Sequence, residues 1–467
     1  MEGVRFAFGN KLLMLARVVT LSSFALSHQG LFGSNDIRHV QDFWNSPGRF
    51  FIQAPPERTT TGPWVVRLSP DGSYWLGNYN AARGAGKNAV QRAGLPSAEL
   101  QKQWDAWIVA KVNYDRYNAG IAVAEANSRY LGHDVSNTIA GAPDPGPEPD
   151  SLVSFAGRPP DFAAAVVPNQ YLVNFPDGSS IKIADNPPMR ANFPAYRFPQ
   201  GVMSAGVPVR TMPAEELNGL FDSAGVDPSA QKVMRAVSLL EGGFDSVNTY
   251  DTGFVSVGLI QFACLSTGSG SLGHVLQREK ANDPEAFQND FHQYGLDVTD
   301  TASLVALDLE NGSELTGGQA ARQIINDKRL VAVFQHAGQT SRAFRVAQIQ
   351  IAKEQYFPAN DVVSFVSDGQ PVQCKVCDFI HSEAGLATLM DRKVNTGKID
   401  PLQSVVSQIA LESGCHTPAD LSLHEREIVL ACKYRKDFTL DNTLTQPAAG
   451  PLSSRRGSRY LKRKKTS

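Results

Sequence analysis

The segment EGGFDSVNTYDTGFVSVGLIQF, residues 241–262, constrains this chain more than any other. A carboxylate closes an apolar helical pattern and two glycines break it. A polar loop carrying Asp245, Asn248 and Asp251 then leads through a small-residue turn to Gln261. The helix before it is well marked. Asp227 suits an N-cap and Pro228 the first helical position, and Val233, Ala236, Val237 and Leu240 recur at helical spacing. Gly242 and Gly243 supply the stop signal. This places Glu241 in the last helical turn, at the negative end of the helix dipole and among apolar neighbours. Both conditions disfavour the ionised carboxylate and raise its pKa, which suits a general acid in sugar chemistry. A surface Glu in a last turn fits the same pattern, so position alone leaves both readings open.

The order of residues after Glu241 adds to this. Ser256, Gly258, Leu259 and Gln261 form a Ser-x-Gly-Leu-x-Gln turn, with Gln261 twenty positions beyond the acid. The segments 271–298 and 330–357 read as helices, and 382–397 as a late helix. Together these resemble the lysozyme-like superfamily, especially its lytic transglycosylase and chitosanase branches, over about residues 212–440. Gly242 stands where transglycosylases carry Ser, so the branch stays open. The resemblance implies a mostly α catalytic domain that cleaves β-1,4-linked amino-sugar polymer, peptidoglycan first and chitosan-like glycan second. It also implies that Glu241 is the acid and that neither cofactor nor metal takes part.

An inverting hydrolase of this kind needs a base about 6.5–9.5 Å from the acid. Asp251 is the first candidate and Asp245 the second; a transglycosylase needs neither, because a hydroxyl of the substrate attacks. An Asx-turn before Gly253 would equally explain Asp251. Asn248, Tyr250, Ser256 and Gln261 are the candidate substrate contacts, against the plainer role of satisfying loop backbone. The rival reading from another class is a non-catalytic glycan-binding or structural protein on the same fold.

Other motifs fail on context. GSGSLG at 268–273 meets the dinucleotide pattern, but no second strand ending in an acid follows it. GAGK at 84–87 lacks the rest of a phosphate loop: Ala81 replaces the first Gly, and Asn88 the Ser or Thr. The five cysteines, at 264, 374, 377, 415 and 432, include one close pair and no second. Zinc sites repeat such pairs, so free thiols fit better, with a disulfide open if the protein is exported.

At 467 residues the chain exceeds one core. A net charge of −2 with 42% hydrophobic and 19% charged residues describes a globular chain rather than a disordered one. The expected class is α+β, a mostly α domain behind an aromatic-rich α+β half. Residues 1–27 are a candidate export leader, with VVTLSSFAL as its short apolar core; the alternative is an amphipathic helix that begins the fold. A real leader implies a periplasmic or extracellular location. Residues 28–140 form the α+β unit, with a hairpin closed on Pro70-Asp71-Gly72 and a long helix over 97–128. Trp64, Tyr74 and Trp75 are either a sugar-stacking platform or core.

Residues 141–150 read as a Pro-rich acidic linker, and 151–211 hold a second hairpin turning at Pro176-Asp177-Gly178. Residues 212–440 are the helical domain, and 441–467 a disordered basic tail. The last fifteen residues carry seven Lys and Arg and no acid, which predicts weak polyanion affinity beside the polysaccharide substrate. No run of eighteen apolar residues exists, so no membrane span is expected.

Overall fold

The computed structural model describes residues 30–53, 64–83, 96–132, 141–185, 198 and 200–448. The candidate leader lies outside the described residues, as does the chain after 448. The chain divides at Leu31, and residues 32–467 form one unit. Its architecture is α+β, with helices outweighing several small antiparallel sheets.

Helix α1 (Ser34–Asn45) buries Val40 and Trp44, and the Trp44 indole donates to the Tyr294 carbonyl at 3.0 Å. Strand β1 (Phe50–Gln53) follows. Strand β2 (Val65–Leu68) runs directly into α2 (Pro70–Ala82), so the expected hairpin at Pro70-Asp71-Gly72 is a helix start instead. The deciding residue is Ser69, whose Oγ accepts from Gly72 N at 3.0 Å as an N-cap, with Pro70 at the first helical position. Helix α3 (Ala98–Leu131) is capped by Ser97 and stopped by Gly132 at φ +72°, extending the predicted helix by one turn. Trp75, Leu76, Tyr79, Trp104, Ile108 and Tyr250 are among the residues of one buried cluster. Trp75 is thus core, stacked on Tyr79 at 5.5 Å, while Tyr74 is 74% exposed and Trp64 half-buried; the three do not make one platform.

Residues 141–149 are extended, and Glu148 pairs with Arg158 at 2.7 Å. This segment shares a cavity lining with α3. Helix α4 (Asp150–Ala156) and strand β3 (Ala163–Val166) come next, and β3 pairs antiparallel with β2. The second Pro-Asp-Gly does make a turn. It joins β4 (Gln170–Asn174) to β5 (Ser180–Ala184), with Gly178 at φ +85°. Phe175 precedes this proline and offers no cap, and alternating Ile181 and Ile183 favour a strand. Strand β1 completes the sheet on the other edge of β4.

The remaining chain supplies β6 (Met203–Ser204), α5 (Ala214–Ser223), α6 (Pro228–Ser238), β7 (Val247–Asn248), β8 (Ser256–Val257) and β9 (Phe262–Ala263). Strands β6 to β9 form a four-stranded antiparallel sheet in chain order. Helices α7 (Ser271–Asn282) and α8 (Pro284–Asp290) lead to a meander of β10 (Leu296–Val298), β11 (Leu304–Leu307) and β12 (Glu314–Thr316). Helices α9 (Gly318–Asn326), α10 (Lys328–Thr340) and α11 (Arg342–Ile351) follow. Residues Leu330 to Phe334 of α10 are fully buried, so this helix is enclosed on all sides.

A hairpin of β13 (Val362–Ser367) and β14 (Gln370–Lys375) packs with α12 (Glu383–Thr396), α13 (Leu402–Ser413), α14 (Pro418–Ser422) and α15 (Glu425–Ala431) around a second core. The predicted helices are present, but residues 212–440 also hold three sheets. Helix therefore dominates the region, with the small sheets set among the helices. The main core joins Trp44 and Val173 to Leu220 and Phe334, so no core boundary falls at 140 or 211. Nor does the chain loosen at 441. Leu444 is buried, and Thr445 N donates to Glu383 at 2.8 Å, which ties residues 441–448 to α12. All five cysteines are free thiols, and no helix among the described residues is long and apolar enough to cross a membrane.

One buried acid finds no cation among the described residues. Glu279 of α7 is 1% exposed, and both its carboxylate oxygens lack a hydrogen-bond partner among the described residues, as does Oδ2 of Asp290. Burial pushes the Glu279 carboxyl well above its ordinary range, and neighbouring Asp290 pushes it further. The folded state therefore holds this proton more tightly than the unfolded chain. Its contribution is complete below the ordinary Glu pKa and is lost as pH rises through the folded value. Each tenfold gain in proton affinity is worth about 1.4 kcal/mol. Glu279→Gln is expected to lose less stability than wild type between pH 5 and 8 in denaturant unfolding. Parallel pH profiles would show that Glu279 ionises as it does in the unfolded chain.

Candidate active site

Helix α6 starts as its sequence requires, with Asp227 Oδ1 accepting from Ala230 N at 3.0 Å. Val233, Met234 and Val237 anchor it in the core. Its last residue is Ser238, and Glu241 lies in the turn that follows, its N–H donating to Ser238 O at 3.0 Å. Gly242 then takes φ +154°, and a Cβ there would sit 2.8 Å from Ser246 Oγ and 2.9 Å from Ala205 O. Only glycine lets the chain fold back this closely toward β6. Gly338 of α10 meets the same demand from the other side, since a Cβ would stand 2.4 Å from Asp245 Cα.

Glu241 does not face open solvent. Its side chain is 11% exposed, and its Oε1 accepts from Arg435 Nη2 at 2.5 Å and from Asn395 Nδ2 at 3.2 Å. Oε2 carries no hydrogen bond among the described residues. Arg435 is shared. Its Nε and Nη2 bind Asp391 Oδ1 at 2.8 and 2.5 Å, and its backbone N–H reaches Asp391 Oδ2 at 3.2 Å. Asp391 and Asn395 project from α12 one turn apart. One guanidinium thus serves two carboxylates, and the more deeply buried Asp391 takes two of its donors together with the Arg435 backbone N–H. Burial raises the Glu241 pKa, and the Arg435 charge only partly opposes that shift.

The loop after Glu241 forms a second polar chain. Asp245, 3% exposed, accepts from Val207 N at 2.7 Å and from Gln339 Nε2 at 2.8 Å, which makes it a strut rather than a free base. Ser246 Oγ donates to Gly258 O at 2.8 Å and accepts from Gln261 Nε2 at 2.6 Å. Asn248 Nδ2 donates to Gln261 Oε1 at 2.5 Å, while Asn248 Oδ1 is buried without a partner among the described residues. Gln261 takes φ +57° in the β8–β9 turn, and Asn248 sits opposite Ser256 in the β7–β8 ladder.

The predicted residues therefore divide. Asn248 and Gln261 are brought into contact, with Ser246 joining them. Ser256 is buried in β8 beside Gly253. Tyr250 is not a groove residue: it is 3% exposed and packs into the N-terminal aromatic cluster, where burial of its ring outweighs a loop role. Asp251 Oδ1 accepts from Gly253 N at 2.8 Å, the Asx-turn. It joins neither the Arg435 cluster nor the Gln261 chain.

Arg435, Asp391 and Asn395 escaped the sequence reading. Arg435 lies 194 positions from Glu241, and no local pattern links them. The nearest signal is Asp391 and Asn395 at four-residue spacing on a helix already marked. Two open cavities lie in the N-terminal half. One, of about 330 Å³, is lined by residues including Arg67, Asp185 and Gln200, and the other, of about 300 Å³, by Trp107 and Glu148 among others. Glu241 and Gln261 line neither. Comparison with family models, curated proteins and solved structures finds no match to this chain.

Proposed function

We propose that this chain cleaves β-1,4-linked amino-sugar polymer, peptidoglycan first and chitosan-like glycan second, with Glu241 as the acid. The observation that carries this reading is the state of Glu241: a buried carboxyl with a raised pKa and one oxygen free of hydrogen bonds among the described residues, in the turn that leads from α6 to a small antiparallel sheet. The acid protonates the glycosidic oxygen from Oε2 as the bond to the anomeric carbon breaks. Asp391 cannot serve as the base, because it is 1% exposed and bound by Arg435. Asp251 remains the candidate base of a hydrolase, but its Asx-turn favours the route that needs none. In that route a hydroxyl of the same sugar attacks the anomeric carbon, and its proton returns to Glu241. Asn248 and Gln261 remain the proposed glycan contacts; Asn248 Oδ1 is buried and both ends of the Gln261 amide are already bonded, so a glycan must displace these contacts to reach them.

The clamp on Glu241 favours the second reading, a non-catalytic glycan-binding or structural protein in which the acid is one end of an ion pair. Product analysis separates the two. Incubation with purified cell walls and with chitosan is expected to release anhydro-sugar ends. Reducing ends of inverted configuration would move the mechanism to Asp251. Release of nothing from either polymer would leave the non-catalytic reading.

A further inference from the structure

Helix α3 carries Trp107, Lys111 and Tyr114 along one face, and the extended segment 141–149 places Asp144 and Glu148 across from them around a cavity of about 300 Å³. This volume lies at the lower end of the range for small-ligand pockets. Trp107 is half-buried, and its indole N–H is a buried donor with no hydrogen-bond partner among the described residues. Buried donors are seldom left so; Trp107 lines the cavity, and an acceptor that reaches its indole N–H would complete this one.

The other polar groups define what that acceptor belongs to. Lys111 is closed to a ligand, because its Nζ already donates to Asp115 at 2.7 and 2.8 Å and to Asp161 at 3.1 Å. Asp144 gives one oxygen to Gly146 N at 2.8 Å, and Glu148 gives one to Arg158 at 2.7 Å. The second oxygen of each carboxylate is open to a donor. Four carboxylates, Asp115, Asp144, Glu148 and Asp161, stand against two cations, Lys111 and Arg158. The surroundings are net negative, which repels anionic ligands and favours cationic ones.

We propose that this cavity is a second glycan site, remote in sequence from Glu241, that holds one hexosamine ring. The C–H face of the ring lies on the aromatic surface, and a ring or hydroxyl oxygen accepts from the Trp107 indole. The amino group and a hydroxyl donate to Asp144 and Glu148, with the protonated amine gaining further from the aromatic faces. A protonated amino sugar binds best, its N-acetyl form less well, and a sugar carboxylate least. The choice of an amino sugar rests on the cleavage reading above; the polyol chemistry of the cavity does not.

Calorimetric titration of the full chain tests this. Glu241→Gln serves as the parent to prevent turnover, with tetramers of glucosamine, N-acetylglucosamine and galacturonic acid as probes. Trp107→Ala in that background is expected to weaken the glucosamine tetramer at least tenfold. Trp107→Phe keeps an aromatic face and loses the donor, so a loss of a few-fold is expected; it also guards against a folding defect in the Ala variant. Affinities equal to the parent in both variants, or preference for the galacturonic acid tetramer, would overturn the proposal. Trp107-dependent binding by a protein whose wild type cleaves neither cell walls nor chitosan would sink the cleavage reading and keep this site. Cleavage without such binding would do the reverse.

Discussion

Glu241→Gln is expected to lower turnover by about 10²–10⁴-fold, the usual contribution of a general acid, while leaving the fold intact. The substitution suits the site. A Gln side chain has the same shape, and its amide oxygen can still accept from Arg435 and Asn395. What it lacks is a proton to give. Arg435 keeps its full set of contacts to Asp391, so no cation is left unpaired. The pH dependence follows from the same residue. On the proposed cleavage, activity requires protonated Glu241, whose pKa is raised by burial, so the rate should fall as pH rises through that value. Rates on whichever polymer the wild type degrades, measured across pH, check both points. A folded variant with a near-normal rate would end the assignment and leave Glu241 as one end of an ion pair.

What the sequence made legible was local. Asp227 and Pro228 announced the start of α6, because a cap satisfies backbone groups within a turn of itself, and apolar spacing placed α3 to within a turn at its C-terminal end. The two Pro-Asp-Gly sequences mark the limit of that logic. Both suit a turn, and their flanks separate them: Ser69 caps a helix, whereas Phe175 cannot and the alternating Ile181 and Ile183 favour a strand. The same limit applies to the site. Asn248 and Gln261 were singled out within one short loop as substrate contacts, but their bond to each other was not. Nor was the clamp on Glu241, because α12 and the segment around Arg435 reach it only through tertiary packing. Tyr250 misled for a related reason. A tyrosine in a polar loop reads as a ligand contact until the aromatic cluster that encloses it is known. The small sheets within 212–440 were missed because strands of two to six residues carry little periodic signal against the long helical patterns beside them.

Replacing Arg435 by Leu should destabilise the protein by about 3 kcal/mol at neutral pH, near the low end of the cost of stranding a buried charge. The low end applies because the Arg435 side chain is 31% exposed, so water supplies part of what is lost. Asp391 is the residue that suffers, since it is 1% exposed and accepts the Nε and Nη2 donors that leave. Glu241 loses its closer partner and keeps only Asn395. Without the guanidinium Glu241 stays buried and loses the charge that opposed its raised pKa, so it holds its proton more tightly in the folded state than in the unfolded chain. Its stabilising contribution is then complete only at low pH and is lost as pH rises. The deficit of the variant should therefore be small near pH 4.5 and full near pH 7.5 in urea unfolding. An equal deficit at both would mean that Arg435 acts through packing of its aliphatic stem. Adding Asp391→Leu should recover part of the loss, because removing both partners costs less than removing one. In Arg435→Leu the fall in the rate of glycan cleavage should also move to higher pH, since the charge that opposed the raised Glu241 pKa is gone. Stability and activity thus report on the same guanidinium through different carboxylates, the first mainly through Asp391 and the second through Glu241.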